Sequence, residues 1–153
     1  MVTRRVVAIG SSLCLIARAR AEHLWSLVTP EEVRQDRARP HRPEPEFLGS
    51  ASIGPDIQMV RPDIFTPVRV PVNLLIQFVT QPGTSIDSST FKATYGWLNI
   101  DITKRLLDHA TLSASGLSAD NASIPPGVHR VTLSVADSLG HVGSRVFSFT
   151  VIA

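Results

Sequence analysis

Five histidines, thirteen acidic residues and a scatter of serines are the side chains of this sequence with which chemistry could be done. Their spacing decides which chemistry is open. His23, His41, His109, His129 and His141 include no pair three or four apart, and Cys14 is the only cysteine, so no set of nitrogen and sulfur ligands is spaced for a metal. His129 shares the register of Val131 at the start of an alternating run, where an imidazole is expected to bond a nearby backbone group, and His141 follows a turn and is expected to face water. Calcium needs six or more oxygens gathered from closely spaced carboxylates. Asp56, Asp63, Asp87, Asp101, Asp108, Asp120 and Asp137 stand singly instead, and Asp87 and Asp137 occupy positions where aspartate stabilises a turn. The serines include no G-x-S-x-G elbow, and nothing fixes a separation between Asp108 and Asp120 that would make them an acid and base pair. Asn121-Ala122-Ser123 is formally a glycosylation acceptor, in a stretch expected to be a loop. The expectation is a protein that is not an enzyme and carries no cofactor and no metal.

Recognition is the remaining chemistry, and it falls to the aromatic residues Trp25, Phe47, Tyr95 and Trp97. Tyr95 and Trp97 are the candidate partner-contact residues. In an alternating strand they share one face, unless Gly96 introduces a bulge that turns Trp97 outward. An exposed Trp97 would anchor a protein or sugar partner, and a buried one would cap the core.

Charge narrows the partners. The formal net charge is +2, but Arg4, Arg5, Arg18 and Arg20 precede residue 22 and every acidic residue lies at or beyond Glu22. Without that leader the balance is 11 − 13, or −2. Residues 55–153 carry seven basic and seven acidic side chains, so no positive face is available for a phosphate backbone and nucleic-acid binding is not expected.

Residues 1–21 have the layout of a secretory signal peptide: Arg4 and Arg5, an apolar run over 6–17, and small residues at Ala19 and Ala21. The run is too short for a permanent span, so the reading is a periplasmic or secreted protein, with membrane attachment only if the leader is uncleaved. Thr3-Arg4-Arg5 leaves the twin-arginine route open. Residues 22–54 read as a tail. Thr29-Pro30-Glu31-Glu32 is a helix start, and the proline-rich, arginine-rich stretch 37–45 reads as a flexible linker.

The elements that must position any site follow from residue 55. A first edge strand is expected over 57–60, and a strand over 70–79 with Val72, Leu74, Ile76 and Phe78 on one face. Another should carry Phe91, Ala93 and Tyr95 inward, and a further strand is expected over 97–102. A short helix capped by Thr103 should follow, then a small hairpin around Ser115-Gly116. The strongest pattern is last. His129, Val131, Leu133 and Val135 alternate with polar residues, Asp137-Ser138-Leu139-Gly140 turns the chain, and Phe147, Phe149 and Val151 alternate again. This hairpin, opened by Gly127, resembles the final hairpin of bacterial immunoglobulin-like modules, with their G-x-H-x-V-x-L-x-V-x-D-x-x-G and F-x-F-x-V patterns. The resemblance covers about residues 55–152, without the paired cysteines of antibody-type domains. It implies an Ig-like β-sandwich, and with the strands counted above the expectation is an all-β, Ig-like β-sandwich of seven to eight antiparallel strands with one short helical turn, which the signal peptide and the Pro/Arg-rich linker precede. The leader, the linker, the balanced charge and the lack of catalytic motifs point to an exported, non-catalytic module with a protein partner in the cell envelope, no small-molecule ligand being expected. The alternative is an accessory domain that binds carbohydrate or a metal ion beside a separate enzyme.

Overall fold

A computed structural model of the chain describes residues 23–39 and 53–153. The leader with Cys14 and the central linker with His41 and Phe47 lie outside the described residues. Those described form ten strands and two helices, with the strands in two five-stranded sheets that share one apolar core.

The carboxy-terminal hairpin is the longest paired unit. β9 (Gly127–Asp137) and β10 (Val142–Ile152) pair antiparallel, with Phe147 opposite Val131 and Phe149 opposite His129. Period-two alternation sends His129, Val131, Leu133, Val135, Phe147, Phe149 and Val151 into the core and leaves Ser148 at the surface. The turn between them is built by one side chain. Asp137 Oδ1 accepts the amides of Leu139 and His141, both at 2.9 Å, and Gly140 takes the left-handed φ of +85° that follows. β5 (Ile86–Tyr95) lies beyond β9, β6 (Ile100–Asp101) beyond β5, and β3 (Val68–Arg69) runs parallel to the end of β10.

The second sheet is centred on β4 (Val72–Val79), which begins immediately after Pro71 and buries Val72, Leu74, Ile76 and Phe78 as its alternation requires. β2 (Asp56–Arg61) flanks it on one side and β8 (Gly116–Ser123) on the other. β7 (Ala110–Ser113) completes the expected small hairpin with β8.

Several expectations are corrected, the first being the count: among the described residues ten strands and two helices stand where seven to eight strands and one helical turn were expected of the sandwich, because two-residue pairings at β1, β3 and β6 are too short to leave a pattern in the sequence. The strand expected over 97–102 is a turn at 96–99 followed by the two-residue β6. Gly96 and Asn99 have positive φ (+69° and +49°), and the amides of Trp97 and Leu98 go to a carboxylate rather than to a neighbouring strand. Thr103 does not cap the helix α2 (Thr103–Leu107): its hydroxyl accepts from the Ala93 amide at 2.9 Å and donates to the Ala93 carbonyl at 3.1 Å, tying the helix to β5. Asn121 to Ser123 belong to β8 rather than to a loop. Ala122 sits opposite Val72, and Asn121, at a bulge with φ +59°, donates its amide to Asn73 Oδ1.

The largest correction concerns the expected tail. β1 (Trp25–Ser26) pairs parallel with Ala122 and Ser123 of β8, so the strands are not all antiparallel. α1 (Pro30–Arg37) starts as expected, with Thr29 and Glu32 exchanging hydrogen bonds in a capping box. Trp25, Leu27, Val28 and Val33 are buried in the same core as the sheets. Polar contacts hold the segment in place. The Trp25 indole donates to the Asp120 carbonyl at 2.7 Å and stacks on His109 at 4.6 Å, while Arg105 meets both oxygens of Glu32 at 2.8 and 2.9 Å. A sequence reading sees only local order, and these partners lie 73 to 95 residues away.

Candidate interaction surface

The arrangement that gathers polar and aromatic groups most closely lies where α1 meets the end of β5. Asp36, in the last turn of α1, is 7 % exposed. Its Oδ1 accepts the amides of Trp97 at 2.6 Å and Leu98 at 3.1 Å. The same carboxylate packs against Gly96 so closely that a Cβ there would overlap it, and the left-handed φ of that residue also favours glycine. Gly96 in turn donates its amide to the Arg130 carbonyl at 2.8 Å. The turn that carries Trp97 is thus fixed from two sides.

Trp97 is half-buried, and the Arg130 guanidinium carbon stands 4.0 Å above the centre of its ring, within the range of a cation–π contact. Beside them Val128 is 68 % exposed, and Arg37 packs against Gly127. A groove of about 280 Å³ runs between Arg37, Trp97, Val128, Arg130 and Ser148.

Tyr95 and His129 form the floor of that groove, and here the pairing of Tyr95 with Trp97 as contacts is corrected. Tyr95 is 2 % exposed, and its hydroxyl lies 2.9 Å from His129 Nδ1. Burial, with Asp36 nearby, pushes its phenol up to about 12. His129 Nε2 lies 2.6 Å from the Pro125 carbonyl, as the register implied, so Nε2 carries the proton and Nδ1 accepts from the tyrosine. Burial lowers the His129 pKa, favouring the neutral ring. Alternation along β5 drives Tyr95 inward, and the Gly96 turn separates Trp97 from that set.

The other candidate groups serve the fold. Asp87 Oδ1 accepts from the Ser89 amide and hydroxyl, Asp108 pairs with Lys104 at 2.8 Å, and His141 rests 3.0 Å from Asp137 Oδ2. Among the described residues no three His, Cys, Asp or Glu side chains gather as a metal site would require. No described helix is long and apolar enough to cross a membrane.

Sequence reasoning named Trp97 but missed Asp36, Arg37, Val128 and Arg130. The signal for Val128 and Arg130 was present, because they are the outward members of the β9 alternation. Asp36 stood in a charge-rich stretch where a solvated role is the ordinary one. Comparison with protein-family models, with curated proteins and with solved structures found no match for this chain.

Proposed function

We propose that this chain is an exported, non-catalytic Ig-like module that binds a protein partner of the cell envelope through the Trp97 end of the sheet containing β9 and β10. The Ig-like assignment is supported by strand order. The series β2-β4-β8-β7 against β5-β9-β10 follows the two-sheet order of immunoglobulin constant domains, A-B-E-D against C-F-G. Export rests on the composition of the leader.

The observation that carries the binding role is the Arg130–Trp97 stack beside the exposed Val128. Tryptophan and arginine are among the residue types most enriched at energetic centres of protein interfaces, and here a turn held by Asp36 presents Trp97 and a paired strand, β9, presents Arg130, at little ordering cost. The accessory-domain reading is less well supported. A sugar ring would need a face of Trp97, and Arg130 stands over one.

A photoreactive amino acid placed at Val128 in the native host tests the reading. A discrete cross-linked protein, lost when Arg130→Ala and Trp97→Ala are introduced, is the expected result. Illumination that yields no product, or a product indifferent to both substitutions, contradicts it.

A further inference from the structure

The two sheets end in strands, and most of those edges are blunted in ways that discourage pairing with another chain. β1, β3 and β6 have two residues each and β7 has four. β2 is broken by a bulge between Met59 and Arg61, and β5 by another between Asp87 and Lys92. β10 differs. It pairs with β9 from Val142 to Val151 without a register shift, and among the described residues β3 pairs with it on the other side only at Val151 and Ile152, while Gly54 and Pro55 pack against Val142 and Gly143 at its start.

The direction of its backbone groups follows from the turn. The Asp137 amide donates to the His141 carbonyl at 3.0 Å, so that pair is a bonded one. Bonded and non-bonded pairs alternate along an antiparallel ladder. The residues opposite Val135, Leu133 and Val131, namely Gly143, Arg145 and Phe147, therefore spend their amides and carbonyls on β9. Ser144, Val146 and Ser148 turn theirs to the side away from β9, where no described strand pairs with them. All three have exposed side chains, with Val146 44 % exposed.

We infer that this edge is a self-association site, at which β10 of a second copy of the chain pairs antiparallel about a two-fold axis through Val146. The sequence of the edge is its own complement in that register. Val146 faces Val146 of the second copy, Ser144 faces Ser148, and Arg145 faces Phe147, so no two like charges stand opposite each other. Small side chains at the three outward positions let the two backbones approach, and each of the three exchanges its N–H and C=O with its counterpart. The dimer joins two β10-containing sheets into one continuous sheet. This inference does not depend on the Trp97 surface.

The two-fold centre makes a specific test. In the full chain, Val146→Lys and Val146→Glu each set like charges directly opposite. Sedimentation should show the dimer dissociation constant raised by about tenfold or more for either variant alone. An equimolar mixture of the two should dimerise again as a heterodimer, and added salt should weaken that rescue. A wild-type chain that stays monomeric at its highest soluble concentration overturns the inference, as does a mixture no more dimeric than its components. Hydrogen exchange on the wild type serves independently of whether the variants fold. The amides of Ser144, Val146 and Ser148 should become more protected as concentration rises, and protection that is unchanged with concentration overturns the site.

Discussion

The carboxy-terminal hairpin and the amino-terminal segment 25–37 are both anchored in the core, by opposite means. β9 and β10 hold each other along an unbroken ladder and bury seven side chains from alternating positions. Segment 25–37 has a two-residue strand and one short helix. It is held by Leu27, Val28 and Val33 under the sheets, by Glu32 on Arg105 and by Asp36 on the Trp97 turn. The hairpin coheres through itself, whereas the segment coheres only through what it docks on. Cooperative stability should therefore reside in the hairpin, with the segment opening first and taking the Trp97 turn with it.

The sharpest way to break that contrast is to cut into the hairpin. Truncating Phe149, 3 % exposed and packed on the His129 ring at 5.9 Å, should cost about 3–5 kcal/mol in denaturant melts. That is a large share of the roughly 5–15 kcal/mol available to a domain. A loss near that for an exposed site would show that the hairpin is not where the stability lies.

Asp36→Ala removes the acceptor of two partly buried amides and should cost about 1–3 kcal/mol. Its effect should concentrate on the turn, seen as a loosened Trp97 signal in near-ultraviolet circular dichroism with the core aromatic bands retained. A uniform loss of all aromatic bands would mean that segment and hairpin open as one unit.

Glu32→Gln should cost less, about 1 kcal/mol, because Arg105 is partly exposed and solvent screens the pair. The Arg105 hydrogen bond, working against burial, holds the Glu32 pKa down at about 2 from an ordinary 4.5. A depressed acid contributes stability that is complete above pH 4.5 and lost as pH falls from 4.5 towards 2. His129, lowered from 6.5 by burial, contributes stability that is complete above 6.5 and declines as pH falls below it. Between pH 6.5 and 4.5 the decline should be that of the hairpin floor, and Glu32→Gln should flatten only the part below 4.5. An altered upper part in that variant would contradict the assignment. Smallest of all, Ser148→Ala in the hairpin should change stability by under about 0.5 kcal/mol, since its side chain faces outward.

These contrasts follow how far each contact reaches along the chain. Alternation in β4, β9 and β10 is a local property, so the faces of Val72, Leu74, Ile76, Phe78, Leu133 and Phe149 were legible from the residues alone. So were the Thr29 cap, the Asp137 turn and the His129 bond to backbone. What was not legible depends on partners distant in sequence. Asp36 looked solvated until Trp97 and Leu98 were brought to it, and Leu27 and Val28 looked like part of a tail until β8 offered an edge. Asn121 to Ser123 looked like a loop because the bulge that keeps them in β8 is set by Asn73. Half of the candidate surface was therefore open to reading: Trp97 by its type, and Val128 and Arg130 by their parity on β9. The carboxylate that orients it was hidden by distance.

Native-state hydrogen exchange, resolved by residue on the wild-type chain, tests the central claim that 25–37 is a docked part of the domain rather than a tail. The amides of Leu133 and Phe149 should exchange only through global unfolding. Those of Trp97, Leu98 and Leu27, bonded to Asp36 and to the Ser123 carbonyl, should be clearly protected but exchange through a smaller opening. Trp97, Leu98 and Leu27 amides exchanging at the rates of an unstructured peptide, beside a protected hairpin, would contradict the account.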